Sequence, residues 1–273
     1  MKTLATTLII GALSMNSYAA YKLPVLEKKT IDITHKSFEP SGIAINQDTR
    51  TIYVISDDGT LCTLADNKLS CTIQDKLDYE GLTLTSEYPD LLFAIEEGKD
   101  NLHTIKTSGE KVSSINIQRR LDGRLMFDKK GNGLEALAFF KKDRGFNYFF
   151  AANQSDKFEG HDSSGILMFS VRDDKLMNAG KRDRAELVLF NKLKIKDISG
   201  LTFHNGYLFA ISDTENTLFV FNEKLALIQK FDLPGKDQEG IAFLDDTLYI
   251  VQDSGNMFSF KLDLKEFPYL LVK

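Results

Sequence analysis

Tyr79-Glu80-Gly81-Leu82-Thr83 is one of five copies of a short phrase that decides the fold. The others are Pro40-Ser41-Gly42-Ile43-Ala44, Leu134-Glu135-Ala136-Leu137-Ala138, Ile198-Ser199-Gly200-Leu201-Thr202 and Gln238-Glu239-Gly240-Ile241-Ala242. About ten residues after each comes an apolar run with a polar end, such as Ile52-Tyr53-Val54-Ile55-Ser56-Asp57 or Leu208-Phe209-Ala210-Ile211-Ser212-Asp213. A unit this short cannot bury its own apolar face, so the copies must pack on one another. Two further alternating runs follow in four of the copies, which makes four strands per unit, the pattern of a propeller blade. The last copy lacks its fourth strand after Leu262. Residues 29–34 resemble residues 230–233 and supply the missing strand, with residues 30–34 completing the last unit. The expected fold is all-β: a five-bladed β-propeller of four-stranded antiparallel blades, closed by an N-terminal strand. Closure also removes open sheet edges.

Unequal repeat spacing places insertions at 118–132, 154–164 and 172–185. The first two emerge on the same face of an up-and-down ring, where binding residues are expected. The third reads as a solvated hairpin on the opposite face.

The 273 residues are 42% hydrophobic and 27% charged, ordinary for a globular protein, with net charge −5. That balance argues against nucleic acid, which calls for a concentrated basic surface. Residues 1–19 read as a cleavable signal peptide: Lys2, an uncharged run from Leu4 to Ser14, and the small-x-small site Ser17-Tyr18-Ala19. The run is too short to span a bilayer. One domain, residues 20–273, is then expected in the periplasm or secreted, with peripheral association with the cell envelope as a further expectation. Cys62 and Cys71 flank a candidate hairpin turn at Asp66-Asn67. Register counted from that turn sets them opposite each other at a non-hydrogen-bonded pair, so a disulfide is expected.

Aligning the copies puts Ser41, Glu80, Glu135, Ser199 and Glu239 at one position, where each first strand leaves the insertion-bearing face. The second strands end there too, with Ser56, Glu96, Asn153, Ser212 and Gln252 at one level. Three glutamates around a narrow axis repel one another. Three resolutions stay open: a bound hard cation, for which Ca²⁺ with its six to eight oxygen ligands is suited; hydroxyl and carboxylate groups that only cap turns; or protonation or pairing with Lys or Arg. Glu80, Glu135 and Glu239 are the candidate metal ligands. Ser41, Ser199, Glu96, Asn153, Ser212, Gln252 and Arg124 are candidate ligand-binding residues of the channel mouth. Glu97 is expected to point away from the axis. Arg119, Arg120 and Arg124 form a basic group in one insertion, suited to an anion. Asp156, Glu159, His161 and Asp162 crowd the other. No nucleophile motif, phosphate loop or zinc spacing occurs, and no catalytic residue is assigned.

The phrases Glu39-Pro40-Ser41-Gly42-Ile43-Ala44, Tyr79-Glu80-Gly81-Leu82-Thr83, Gly133-Leu134-Glu135-Ala136-Leu137-Ala138 and Asp237-Gln238-Glu239-Gly240-Ile241-Ala242 resemble the bacterial SdiA-regulated domain family, YjiK-like proteins among them. The similarity runs from about Val25 to Leu264. It implies a five-bladed propeller distantly related to NHL-repeat proteins, an envelope or secreted location, and a calcium ion, with no reaction attached. The expected function is therefore an extracytoplasmic binding module with calcium at the channel mouth, acting on a small molecule or protein partner. The alternative is a metal-dependent hydrolase of the lactonase or phosphoesterase (phytase-like) kind, on fold analogy.

Overall fold

A computed structural model describes residues 19–33, 38–66, 68–73, 76–127, 133–153, 156–158 and 161–271. Most of the expected leader thus lies outside the described residues, as do Thr34 of the expected closing strand, Asn67 of the expected turn, and Gln154 and Glu159 of the insertion 154–164. The structure is almost entirely β. One four-stranded antiparallel sheet contains Pro40–Ile45, Ile52–Ser56, Thr60–Ala65 and Lys68–Ile73 in sequence order. Tyr79–Leu84, Leu91–Glu96, Asn101–Lys106 and Lys111–Ile117 form the next meander. Leu134–Asp143, Phe146–Asn153, Gly165–Arg172 and Arg184–Lys192 form a third. These two meanders join into one sheet through a short parallel pairing, Asn116 with Arg184 and Ile117 with Ala185. Ile198–His204, Tyr207–Ser212, Thr217–Asn222 and Leu227–Asp232 follow, with Tyr21–Lys22 added in parallel at the outer edge. In the last sheet Gln238–Leu244, Thr247–Gln252 and Asn256–Leu262 pair in order, and Val25–Asp32 lies antiparallel on Asn256–Leu262.

Burial follows radial position. Pro40–Ile45 and Leu91–Glu96 are buried along their whole length, because each inner strand has a neighbouring sheet on both faces. Val25–Asp32 is mostly exposed, as suits an outer strand. The first strands neighbour one another in a cycle: Pro40–Ile45 touches Tyr79–Leu84, and so on through Gln238–Leu244 back to Pro40–Ile45. Gly42 makes this approach possible, since a Cβ there would lie 2.7 Å from the Leu82 nitrogen. Apolar clusters fill the space between adjacent sheets. Phe93, Phe149 and Phe169 pack between the second and third meanders, and Phe209, Phe243 and Phe260 between the fourth and fifth.

Two expectations need correction. The strand on Asn256–Leu262 starts at Val25, earlier than residue 30, because its register runs from Val25 opposite Leu262 to Asp32 opposite Asn256. Tyr21–Lys22 has too few residues to leave a pattern in the sequence. The segment 172–185 is not a solvated hairpin. Asp173–Met177 is a short helix whose Leu176 is buried, and the Asp173 carboxylate accepts bonds from Tyr88 and Asn147. Cys62 and Cys71 are bridged and directly opposite, with Cα atoms 4.0 Å apart, in the register that pairs Ala65 with Lys68. No helix among the described residues is long and apolar enough to cross a membrane.

Candidate functional site

A β-bulge recurs in every copy, at the aligned motif position in four and one residue later in the second. Pairing of the first with the second strand skips Ser41, Gly81, Glu135, Ser199 and Glu239. In the second copy the skip falls one residue later, on Gly81, whose φ of +49° suits a residue without a Cβ. A bulged residue leaves the ladder and its side chain is re-aimed. The serines use this to stitch neighbours together. Ser41 Oγ donates to the Tyr79 carbonyl and Ser199 Oγ to the Gln238 carbonyl, each at 2.5 Å. An ionised glutamate has no proton to donate in this way, so Glu80, Glu135 and Glu239 are left with their charges.

Those charges are crowded. Burial, then Glu135 and Glu239, push the Glu80 carboxyl up to about 11. Burial and the adjacent Glu97 push Glu135 up to about 9. Burial, then Asp253 and Asp213, push Glu239 up to about 9. More acids stand around them, placed by the backbone. The N–H of the residue just after the second strand donates to the carbonyl two residues before the motif acid or serine: Asp57 to Glu39, Glu97 to Asp78, and Asp213 to Asp197. Each such bond sets two acidic side chains side by side. Asp237 and Asp253 hold the equivalent positions in the last copy and lie within electrostatic reach of each other. The third copy has Gly133 there instead, and Glu97 leans across to it: the Gly133 N–H donates to Glu97 Oε1 at 3.3 Å. A Cβ at Gly133 would lie 2.9 Å from Glu97 Cγ and block that approach.

Asp78, Glu80 and Glu97 each place one carboxylate oxygen within 4.8 Å of the others. A Ca²⁺–oxygen bond of about 2.3–2.6 Å lets two ligands on one ion lie up to about 5 Å apart, so this span fits a single calcium. Among the described residues no lysine or arginine forms an ion pair with these three, nor with Glu135 or Glu239; Lys236 pairs with Asp237 on the rim. Beneath the acids the first strands close around a void of about 10 Å³, lined by Gly42, Gly81, Gly200 and Gly240 among others. That is at the lower limit for one water, so the mouth is a cup and not a pore.

A sequence profile of the SdiA-regulated family matches residues 18–261. The chain belongs to the SdiA-regulated family. No curated protein shows significant similarity to it. Among solved structures, this SdiA-regulated protein is similar to a glutaminyl cyclase from Myxococcus xanthus, at 12% identity over 90% of this chain and 99% of the other, with a TM-score of 0.60. It is similar to a gluconolactonase from Xanthomonas campestris at 11% identity, over 90% and 96% of the two chains, with a TM-score of 0.51. A virginiamycin B lyase from Staphylococcus aureus gives 10% identity, 87% and 99% coverage and a TM-score of 0.50. At these identities the likeness concerns the fold alone, which is propeller-like and all-β.

The sequence-derived candidates separate into two groups in this SdiA-regulated protein. Glu80, Glu135 and Glu239 come together at the mouth. The residues ending the second strands hold loops. Ser212 Oγ donates to the Lys196 carbonyl at 2.6 Å, and Gln252 Nε2 donates to the Lys236 carbonyl. These bonds fix the loops that carry Asp197 and Asp237. Asn153 Oδ1 accepts from the Gly165 N–H at 2.7 Å, and Ser56 Oγ accepts from Thr60 N–H at 3.1 Å. Glu96 is buried inside its sheet and accepts from Lys99, Asn101 and His103. Burial pushes its carboxyl up, and those three bonds outweigh burial and hold it below the usual range. The expectation for Glu97 is corrected: it faces the acids, because its N–H bond to Asp78 turns it toward the mouth. The basic group does not assemble. Arg119 pairs with Asp100 and lies over Phe127, Arg120 closes its own hairpin on the Gly123 carbonyl, and Arg124 is exposed on that hairpin. The side chains of Asp156, His161 and Asp162 lie outside the described residues. Sequence reasoning missed Glu39, Asp78, Asp197 and Asp237. Their signal was present as an acid two residues before the aligned motif position in four of the five copies.

Proposed function

We propose that this protein is a five-bladed propeller, closed by Val25–Asp32, that works outside the cytoplasm as a calcium-dependent binding module. The single observation that carries the metal is the meeting of Asp78, Glu80 and Glu97 oxygens within one cation's span, beside Glu135 and without a paired base. Glu80 and Glu135, raised this far by burial and by neighbouring carboxylates, are relieved by a divalent ion, which replaces protons with a shared charge. Asp78, Glu80 and Glu97 would hold the ion, with Glu135 and Glu239 adjacent. A bound calcium would supply a positive centre able to accept oxygen atoms of a ligand. The rim acids Glu39, Asp57, Asp213, Asp237 and Asp253 favour a ligand or partner carrying positive charge or neutral oxygens over a polyanion. The Cys62–Cys71 bridge supports an oxidising compartment. Isothermal titration of metal-free protein with CaCl₂, repeated with Glu80→Gln, tests the reading. Saturable binding lost in the variant supports it, and no heat in the wild type rejects it.

A further inference from the structure

The same first strands end, on the far side of the disc, in a second concavity of about 360 Å³. The acidic mouth and this funnel are separated by the narrow axial void. The funnel's chemistry is different. Phe139 and Phe203 are partly exposed and give it aromatic walls, with the buried Phe243 behind His204, and Thr83, Thr202 and His204 lie among the lining residues. No lysine or arginine contributes to its lining, and Asp48 is the acid there. The space exists because the strand position before each bulky residue is small: Ala44 precedes Ile45, Thr83 precedes Leu84, Thr202 precedes Phe203, and Ala242 precedes Phe243.

The polar groups are part-way used. Thr83 Oγ1 accepts from the Phe139 N–H at 3.1 Å and still has a proton to donate. Thr202 and His204 are half-buried, and His204 lies against the Phe243 ring, with centroids 5.8 Å apart. Burial lowers the His204 pKa, against a smaller pull from Asp245, so the ring is neutral at pH 7 and offers one donor and one acceptor. An aromatic-walled pocket of this size with a few convergent neutral donors and acceptors is the form small-molecule sites take.

We infer that this funnel is a second binding site, for a small neutral ring compound bearing hydroxyl groups, held by Thr202 and His204 within the part-aromatic lining. An anion finds no cationic partner there, and a purely apolar ring leaves the threonines and the histidine unmatched. Binding here needs no metal and none of the acidic side chains.

The test is saturation-transfer NMR and calorimetry on the mature protein. The probes are phenyl β-D-glucopyranoside, 4-hydroxybenzyl alcohol and thymidine, with benzoate and phenyl phosphate as anionic counterparts. At least one neutral probe should bind saturably at millimolar concentration or below, and the anions should not. Thr202→Val removes one hydroxyl and should weaken binding by about 3- to 10-fold, the worth of one hydrogen bond. His204→Leu should do the same, and serves if the threonine variant fails to fold. Glu80→Gln and chelator should leave the affinity unchanged. Three results would overturn the inference. These are no saturable binding by any neutral probe, unaltered affinity in folded Thr202→Val or His204→Leu, and loss of binding with Glu80→Gln, which would move the site to the acidic mouth.

Discussion

At one end of the first strands Glu80, Glu135 and Glu239 crowd together under a rim of further acids; a few residues along the same strands, Phe139, Thr202, Phe203 and Phe243 line the other end. The backbone differs as well. At the acidic end the ladder breaks in every copy, at the aligned motif position or one residue after it. At the far end pairing is regular in four copies, as in Thr83 with Phe93 and Thr202 with Phe209. The regular end is what apolar packing alone produces. An irregularity repeated at the acidic end, with glutamate on it in two copies and just before it in a third, directs charge to a point where charge is unfavourable unless something neutralises it. The two mouths are thus built on one scaffold but by different rules: the far one from side-chain size, the acidic one from backbone direction.

Both mouths depend on the ring staying shut, which gives the largest expected effect. Removing residues 20–33 strips Val25–Asp32 from its partner strand and takes away the buried Leu23 and Ile33. The melting temperature should fall by roughly 10 °C or more, or folding should fail. Calorimetry that finds unaltered melting would show that this strand does not close the ring. The Cys62–Cys71 bridge lies in the outer half of one sheet, away from both mouths. Replacing both cysteines by serine should cost about 2–3 kcal/mol by loop entropy and leave calcium affinity intact. Altered affinity would couple the bridge to the acidic mouth.

The pH dependence separates the two ends further. Glu80, Glu135 and Glu239 titrate in the folded ring well above the unfolded value of 4.5, at about 11, 9 and 9. A raised carboxyl binds its proton more tightly when folded. Its contribution is therefore fully present below pH 4.5 and is lost as pH rises toward 9 for Glu135 and Glu239 and toward 11 for Glu80. Metal-free protein should lose stability across that window. The increment in melting temperature from calcium should grow with pH, since the ion binds the ionised form. An increment that shrinks with pH would contradict the cation reading. A smaller and sharper effect concerns Glu97. Glu97→Gln keeps the shape and the bond from Gly133 but removes one charge, and should weaken calcium roughly tenfold by titration calorimetry, as loss of a charged ligand. The matched change Glu110→Gln, on an exposed turn paired with Lys106, should do nothing.

The strand grammar was legible because period-two apolar runs and turn residues recur in five copies. The apolar runs at 52–57 and 208–213 coincide with the strands Ile52–Ser56 and Tyr207–Ser212 to within a residue at each end. The three central glutamates were legible because alignment of copies is itself a statement of position in a ring. The rim was not. Asp78 and Glu97 are far apart in sequence, and only the backbone bond between them makes them neighbours. Ser212 and Gln252 show a related ambiguity: a polar strand end reads the same whether it faces a ligand or holds the next loop, and both hold a loop here. The helix Asp173–Met177 was hidden because its single buried residue, Leu176, leaves no period to read.

The central claim is that the acidic mouth holds a cation. The most direct measurement is the melting curve of chelator-stripped protein at pH 8 with and without saturating CaCl₂, beside Glu80→Gln. Calcium that raises the wild-type midpoint by several degrees, and the variant's by much less, is the predicted result. Identical curves with and without calcium would contradict it and leave the glutamates protonated in the folded ring.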